Sequence, residues 1–348
     1  PAVEVLAEAA APPPFDLFRP TVKAQLPTLL DNAPVGLRHP RQRGLFRMAA
    51  VSMAGFRAAL AARDFVEIQT PKIVGAATEG GANVFRIDYF GQPAYLSQSP
   101  QLYKQIMVGV FERVFEVGPA FRAEPHDTPR HINEFVSLDV ELGFIRDHHD
   151  VMELLNRVLE SMVAAIQAEL AAGTIGALPR PLPAVPARIP AIHFTEALEL
   201  YSQATGDDAR GEPDLAPAHE RWLGEWASRE HGSDFLFVWG YPTAKRAFYT
   251  HPDPARPGYS RGFDLLFRGL ELVSGGQRLH RYDDYLAVLA ERGMPAESFA
   301  GYLQAFRHGM PPHGGFAIGL ERWVARLIEA PNIRETTLFP RDLARLTP

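Results

Sequence analysis

The chain has no cysteine among its 348 residues, which excludes disulfides, thiolate nucleophiles and cysteine-bound zinc together. A reducing, cytoplasmic setting fits that composition. Long hydrophobic runs are also missing: the longest weakly polar stretch, 49–62, contains Arg57 and is too short to span a bilayer. No signal peptide is legible at the start. Positive charge is not in surplus, because 35 Lys and Arg against 41 Asp and Glu leave a net charge of −6. Such a balance disfavours indiscriminate nucleic-acid binding and leaves room for a local basic patch. Nucleophile elbow, P-loop and dinucleotide fingerprint are absent. His148, His149 and His280 do not stand at metal-ligand spacing with other histidines.

What remains is a globular composition, 46% hydrophobic and 22% charged, in a chain long enough for one large domain or two ordinary ones. Val3 and Val5 alternate like the end of a strand, and Pro12-Pro13-Pro14 follows as a stiff linker signal. The chain starts with Pro1 rather than Met, so a preceding domain is expected. Helical spacing predicts helices over 43–63, 101–112 and about 149–170, the second with Pro100 near its first turn. Strands are expected at 65–68, 235–239, 247–250, 262–267 and 270–273. Residues 174–190 are rich in Pro, Gly and Ala and open a less regular stretch, read as an insertion reaching about 232. With few long helices between its strands, the chain reads as α+β, an antiparallel sheet flanked by helices.

The most informative segment is 115–142. Glu116, Gly118, Ala120, Arg122 and Glu124 alternate with Phe115, Val117, Pro119 and Phe121; on the returning strand Phe135, Ser137, Asp139 and Glu141 alternate with Val136, Leu138, Val140 and Leu142. Period-two patterning of this kind predicts an antiparallel pair with one face on a core and the other toward solvent or ligand. The connecting loop adds His126, Arg130 and His131. A solvated sheet face laced with ion pairs would give the same pattern.

Three further clusters carry polar chemistry. Asp264, Glu271 and Ser274 are hard oxygen donors suited to magnesium, and Arg278 follows. Strict alternation puts Glu271 and Ser274 on opposite faces, so a bulge or turn at Ser274-Gly275-Gly276 is expected to reunite them; a charged edge strand is the alternative. Gly319-Leu320-Glu321-Arg322 marks a strand-to-helix junction where an arginine can reach an anion. Thr78-Glu79-Gly80-Gly81 reads as a loop, near Ser99, Gln101 and Lys104. Gln101 and Lys104 share a helical face, where Lys104 suits a carboxylate and where a solvated pair is the plain alternative.

In order along the chain, FVEIQTPKI ending near Pro71, FRAE followed by RHINEF, and GGFAIGLER resemble the three motifs of the class II aminoacyl-tRNA synthetases; the likeness covers nearly all of 31–348. TEGGANVF, YLSQSPQLYKQ, FDLLFRGLELVSGGQR and GMPPHGGFAIGLER are similar to the aspartyl-tRNA synthetases, above all their archaeal type, some of which also charge tRNA(Asn). The resemblance implies a class II catalytic domain over 31–348, with 1–30 a remnant and linker from an N-terminal OB-fold that reads the anticodon. It implies ATP, L-aspartate and tRNA as substrates, Mg2+ as cofactor, no membrane, and a homodimer built at the motif around Pro71.

Matching positions carry the family's roles as expectations. Arg122 would contact the α-phosphate, Glu124 the adenosine and His131 the outer phosphates. Phe135 would stack on adenine, with Arg322 over its other face and on the γ-phosphate. Asp264, Glu271 and Ser274 would hold magnesium. Arg278 and Lys104 would grip the aspartate side chain, while Glu79, Ser99, Gln101, Asp139 and Ser274 would surround the rest of the amino acid. The implied chemistry needs no protein base, since a carboxylate is already a nucleophile; it needs two anions held in line and their charge neutralised. Two alternatives share these motifs: an ammonia-using asparagine synthetase, and a non-catalytic paralogue whose catalytic positions should be degraded. Arg122, Glu271 and Arg322 are all present.

Overall fold

In the computed structural model, which describes residues 3–75 and 83–348, the chain enters through α1 (Leu26–Asp31) and α2 (Ala33–Gly36) into the long α3 (Pro40–Ala61). Proline at the first turn and a His39 side chain that accepts from the Arg41 amide start α3 three residues before the apolar stripe does. β1 (Val66–Glu67) and β2 (Ile73–Val74) follow, then β3 (Arg86–Tyr89), β4 (Gln92–Leu96) and α4 (Gln101–Phe111). The patterned hairpin is β5 (Arg113–Phe121) with β6 (Glu134–Gly143), after which α5 (His148–Ala171) crosses the molecule. The remainder is β7 (Ala191–His193), α6 (Phe194–Thr205), α7 (Pro217–His231), β8 (Phe235–Trp239), β9 (Gly262–Phe267), β10 (Leu270–Gln277), α8 (Tyr282–Glu291), α9 (Ala300–Arg307), β11 (His313–Gly319) and α10 (Leu320–Ile328).

The main sheet has the order β1-β5-β6-β11-β10-β9-β8-β7. Its outermost pairs, β1 with β5 and β7 with β8, are parallel and the rest are antiparallel. A second, three-stranded sheet, β2-β4-β3, was not foreseen from the sequence. The apolar sides of β5 and β6 pack under α3 and α5, where Phe115, Leu138 and Val140 join Phe56, Leu155, Leu159 and Met162 in the main core. Each such side chain contributes about 1.5–3 kcal/mol when fully buried. A Cβ on Gly55 would lie 2.9 Å from Met162 Cα, so this glycine lets α3 and α5 approach closely. The Trp323 indole donates to Ser52 Oγ at 3.0 Å, tying α10 to α3.

Two expectations need correction. Residues 247–250 are not a strand; Thr250 forms only an isolated bridge with Arg278 after a tight turn at Thr243–Lys245. The stretch 174–232, read as irregular, holds the edge strand β7 and the helices α6 and α7, which build a second core from Phe194, Leu198, Leu223, Leu236 and Leu266. Its apolar positions recur at helical spacing, but Gly206, Gly211 and Pro213 interrupt the pattern between the two helices, and Pro217 opens the second.

Candidate functional site

Cross-strand register decides which side chains share a surface, because directly paired residues point to the same face. Gly118 pairs with Ser137 and Glu116 with Asp139. Asp139 pairs in turn with Ala317, Ala317 with Ser274, and Ser274 with Asp264. One row therefore runs Glu116–Asp139–Ala317–Ser274–Asp264 across five strands spaced about 4.8 Å apart. The bulge that the sequence required is present, but at Leu272: Glu271 pairs with Leu266 and Val273 with Leu265. Since Leu266 and Asp264 alternate onto one face, Glu271 joins Ser274 and Asp264 there. The glycines at 275 and 276 stay within β10; they serve close packing, because a Cβ on Gly275 would lie 2.5 Å from the Phe263 ring.

The closed end of this floor is an ion network. Lys104, 1% exposed, donates to Asp139 Oδ1 (2.9 Å) and to the Val140 and Phe316 carbonyls (3.2–3.3 Å), and sits 3.4 Å from Glu141 Oε2. The solvated alternative for Gln101 and Lys104 is thereby excluded, for both are buried. Arg278 donates through Nε to Glu141 Oε1 (2.9 Å) and through Nη2 to the Gly315 carbonyl (2.9 Å), with Tyr249 under its guanidinium. Burial alone would raise the Glu141 carboxyl, yet Arg278 and Lys104 outweigh it and hold the group below the ordinary carboxylate range. Ser137 Oγ donates to Asp139 Oδ2 at 2.6 Å. A Cβ on Gly315 would fall 2.0 Å from the Val140 carbonyl and 2.2 Å from Glu141 Oε2; only glycine admits the network here.

The middle of the floor carries the oxygen donors. Arg246 binds Asp264 in a two-pronged pair (2.9 and 2.7 Å), donates to Ser274 Oγ at 3.0 Å, and lies 3.8 Å over the Tyr241 ring. Burial and the Asp264 charge push the Glu271 carboxyl up, an imbalance that a cation would relieve. Two carboxylates and a hydroxyl on one face fit magnesium, although Arg246 satisfies two of the three donors here. Arg246 escaped the sequence reading, as did Glu220 of α7, which accepts from the Glu271 amide at 3.0 Å. Glu220 lies in the stretch set aside as an insertion, so nothing local drew attention to it.

At the open, more exposed end stand the residues of the hairpin loop and its flanks. The Arg122 guanidinium is 5.4 Å from the Phe135 ring and 4.0 Å from Glu124. His131 Nε2 lies 3.4 Å from Glu124, and its Nδ1 meets Thr128 Oγ1 at 2.6 Å. Burial, with nearby His126 and Arg322, lowers the His131 pKa and favours a neutral ring, against the pull of Glu124. Arg322, at the start of α10, donates to the Glu271 carbonyl at 3.2 Å, bridging the open end and the oxygen donors. Glu321 of the same junction accepts from the Val136 amide at 3.0 and 3.1 Å and so anchors the residue after Phe135. Ser99 Oγ accepts from the Gln101 amide at 3.1 Å at the start of α4. Glu79, with Thr78, Gly80 and Gly81, lies outside the described residues.

One extended sheet face thus carries an acid–base network at one end, hard oxygen donors in the middle and an arginine beside an aromatic ring at the other. The family model for tRNA synthetases class II (D, K and N) matches residues 25–343. The chain belongs to the class II tRNA synthetases. Among its relatives, the aspartate–tRNA(Asp/Asn) ligase of Thermus thermophilus is 48% identical over 346 residues, 99% of this chain and 81% of the relative. The aspartate–tRNA(Asp) ligase of Pyrococcus horikoshii is 41% identical over 349 residues, 99% and 78% of the two chains. Among solved structures, an asparaginyl-tRNA synthetase from Pyrococcus horikoshii complexed with asparaginyl-adenylate superimposes with a TM-score of 0.82 at 32% identity, covering 93% of this chain and 74% of that one. Among the described residues of this class II synthetase, no helix is long and apolar enough to cross a membrane.

Proposed function

We propose that this synthetase is an aspartate–tRNA ligase. It activates L-aspartate with ATP to aspartyl-adenylate and transfers the aspartyl group to the 3′ end of tRNA(Asp). Acceptance of tRNA(Asn) belongs to the same proposal, since the names of the Thermus thermophilus and Aeropyrum pernix relatives include it. The observation that carries the reading is the pairing of Lys104 and Arg278 across the buried carboxylate of Glu141. Two fixed cations at the closed end of the floor suit an acidic side chain. Among the described residues Arg278 Nη1 takes no hydrogen bond, and it would be the donor offered to the aspartate β-carboxylate. Asp139 would hold the amino group, with Gln101 and Ser274 nearby.

That placement directs the α-carboxylate toward the middle of the floor, where an oxygen attacks the α-phosphorus of ATP and the bond to pyrophosphate breaks. Arg122 would bear the charge growing on the α-phosphate, and Phe135 and Arg322 would sandwich the adenine while Arg322 also meets the γ-phosphate. Neutral His131 would donate to the outer phosphates, and Glu124 would hold the adenosine. Magnesium, when held by Glu271, Ser274 and Asp264, would neutralise charge on the phosphates. No protein base is required; positioning and fixed charge lower the barrier. We place the enzyme in the cytoplasm as a homodimer formed around Pro71, where β1 is the sheet's edge and Val66 and Ile73 are exposed.

Exchange of labelled pyrophosphate into ATP tests the reading. Exchange should depend on aspartate and should be far weaker with asparagine or lysine. A folded protein without aspartate-dependent exchange, or one that prefers asparagine, overturns it.

A further inference from the structure

The histidines set aside in the sequence acquire a meaning on the far side of the sheet. Asp147 is the N-cap of α5: its Oδ1 accepts from the His149 amide at 2.8 Å and lies 3.1 Å from His149 Nδ1. His148, next in sequence, is 3% exposed, and neither of its ring nitrogens has a hydrogen-bond partner among the described residues. Its ring centroid is 4.1 Å from that of His149 and 5.3 Å from Trp239. One ligand atom each from Asp147, His148 and His149 can be chosen so that all three lie within 4.8 Å of one another; this is the one such group of metal-ligating residues among those described.

A buried imidazole with both nitrogens unsatisfied forgoes the hydrogen bonds it makes to water in the unfolded chain, a cost that a ligand at those nitrogens would offset. His148 is the one described residue with two such buried atoms left without a partner; buried His313, by contrast, sits between Gln105 and the Pro311 carbonyl. Two imidazoles and a carboxylate form a nitrogen-rich borderline donor set, which selects zinc-class ions over magnesium. We propose that Asp147, His148 and His149 bind a single divalent transition-metal ion of the zinc class, with water in the remaining position. Ligand atoms around tetrahedral zinc stand about 3.3 Å apart, given bonds of about 2.0 Å; rotation of the exposed His149 ring closes the difference.

This site is separate from the oxygen donors of the catalytic floor. Trp239 pairs with Phe263, which alternates with Asp264 and so faces the opposite side of the sheet. Soft and hard cations would therefore be taken by different faces of one sheet, and the ion would pin the turn between β6 and α5 beside Trp239.

The test uses the full chain, stripped of metal by a chelator and titrated with Co2+. Visible d–d bands should saturate at one ion per chain, be displaced by Zn2+, and resist excess Mg2+. Asp147→Asn keeps the helix cap and His149→Gln alters an exposed side chain, so both should fold; each should weaken Co2+ binding by at least about 10-fold. The absence of saturable binding overturns the proposal. So does displacement by Mg2+, and so does binding that both variants leave unchanged, as it would be if the stacked pair His251 and His280 took the ion.

Discussion

Replacing Arg278 with alanine separates its structural duty from the substrate-binding role proposed for it. Structurally, Arg278 is 5% exposed and neutralises a fully buried Glu141 through two hydrogen bonds, at 2.9 and 3.4 Å. Removing one partner of a buried pair costs about 3–5 kcal/mol. The low end applies here, because Lys104 remains 3.4 Å from the same carboxylate. Functionally, one charge-assisted hydrogen bond to the substrate is worth about 1.5–3 kcal/mol, or roughly 10- to 150-fold. Pyrophosphate exchange at varied aspartate and ATP should therefore show the aspartate KM of Arg278→Ala raised by about that factor, with the ATP KM nearly unchanged. Urea unfolding followed by circular dichroism should show the loss of stability. Arg278→Lys keeps the charge and should recover part of the stability but little of the aspartate affinity, since an ammonium cannot reach Glu141, the Gly315 carbonyl and the ligand together. A folded Arg278→Ala protein whose aspartate KM lies within about twofold of the parent's refutes the assignment. So does an equal rise in both KM values.

Gly315→Ala should abolish exchange and lower the melting temperature, because its Cβ would meet the Val140 carbonyl and Glu141 inside van der Waals contact; an active, stable variant shows that the floor yields. Arg246→Ala frees Asp264 and Ser274 from their guanidinium, and the Mg2+ concentration for half-maximal exchange should fall at least about threefold if these atoms ligate the ion; an unchanged requirement removes Asp264 from the ligand set. Burial raises the Glu321 carboxyl to about 7 from 4.5. The native state then binds the proton more tightly than the unfolded chain, so this group's stabilisation is present below about pH 4.5 and is lost as pH rises to about 7, on the order of 3 kcal/mol in all. Thermal melts of Glu321→Gln and the parent at pH 5 and pH 8 should show the variant gaining on the parent at the higher pH; a constant difference contradicts that titration.

The hairpin was legible because its polar and apolar residues obey a strict two-residue period, and the observed register pairs Gly118 with Ser137 and Glu116 with Asp139 on one face. Helices α3, α4 and α5 were legible for the same kind of reason; α3 begins three residues before its expected start because Pro40 and the His39 cap rather than the apolar stripe set the boundary. The bulge was inferred as a requirement and misplaced, since glycine composition pointed to 275 and 276. The structure spends its extra residue at Leu272, a buried side chain that carries no local sign of irregularity. Glu220 and Arg246 were not legible at all. They reach the floor from elements distant in sequence, and only the fold shows that α7 and the turn before Tyr249 overlie β9 and β10. The His148 and His149 pair was dismissed because spacing to other histidines was the criterion, whereas the third donor is Asp147 beside them.

The closed end of the floor also explains how an acidic amino acid can be admitted without storing unpaired charge in its absence. Lys104 and Arg278 supply two positive charges, and Asp139 and Glu141 supply two negative ones. The network is neutral when empty, which avoids the several kcal/mol of an unpaired buried ion. In the proposed pose aspartate brings an ammonium toward Asp139 and a carboxylate toward Arg278, two opposite charges that cancel. The substrate thus meets a preformed dipole of matching sense, and the floor stays neutral when filled. Asparagine brings the ammonium but an uncharged amide, leaving Arg278 facing no anion other than Glu141. Discrimination against asparagine would then rest on the competition between Glu141 and the ligand for one guanidinium. Glu141→Gln removes the resident anion from Arg278, so the carboxylate of aspartate should gain more than the neutral amide of asparagine and the ratio of aspartate to asparagine exchange should widen, whereas a ratio that narrows or stays unchanged would mean Glu141 only orients Arg278 and takes no share of its charge.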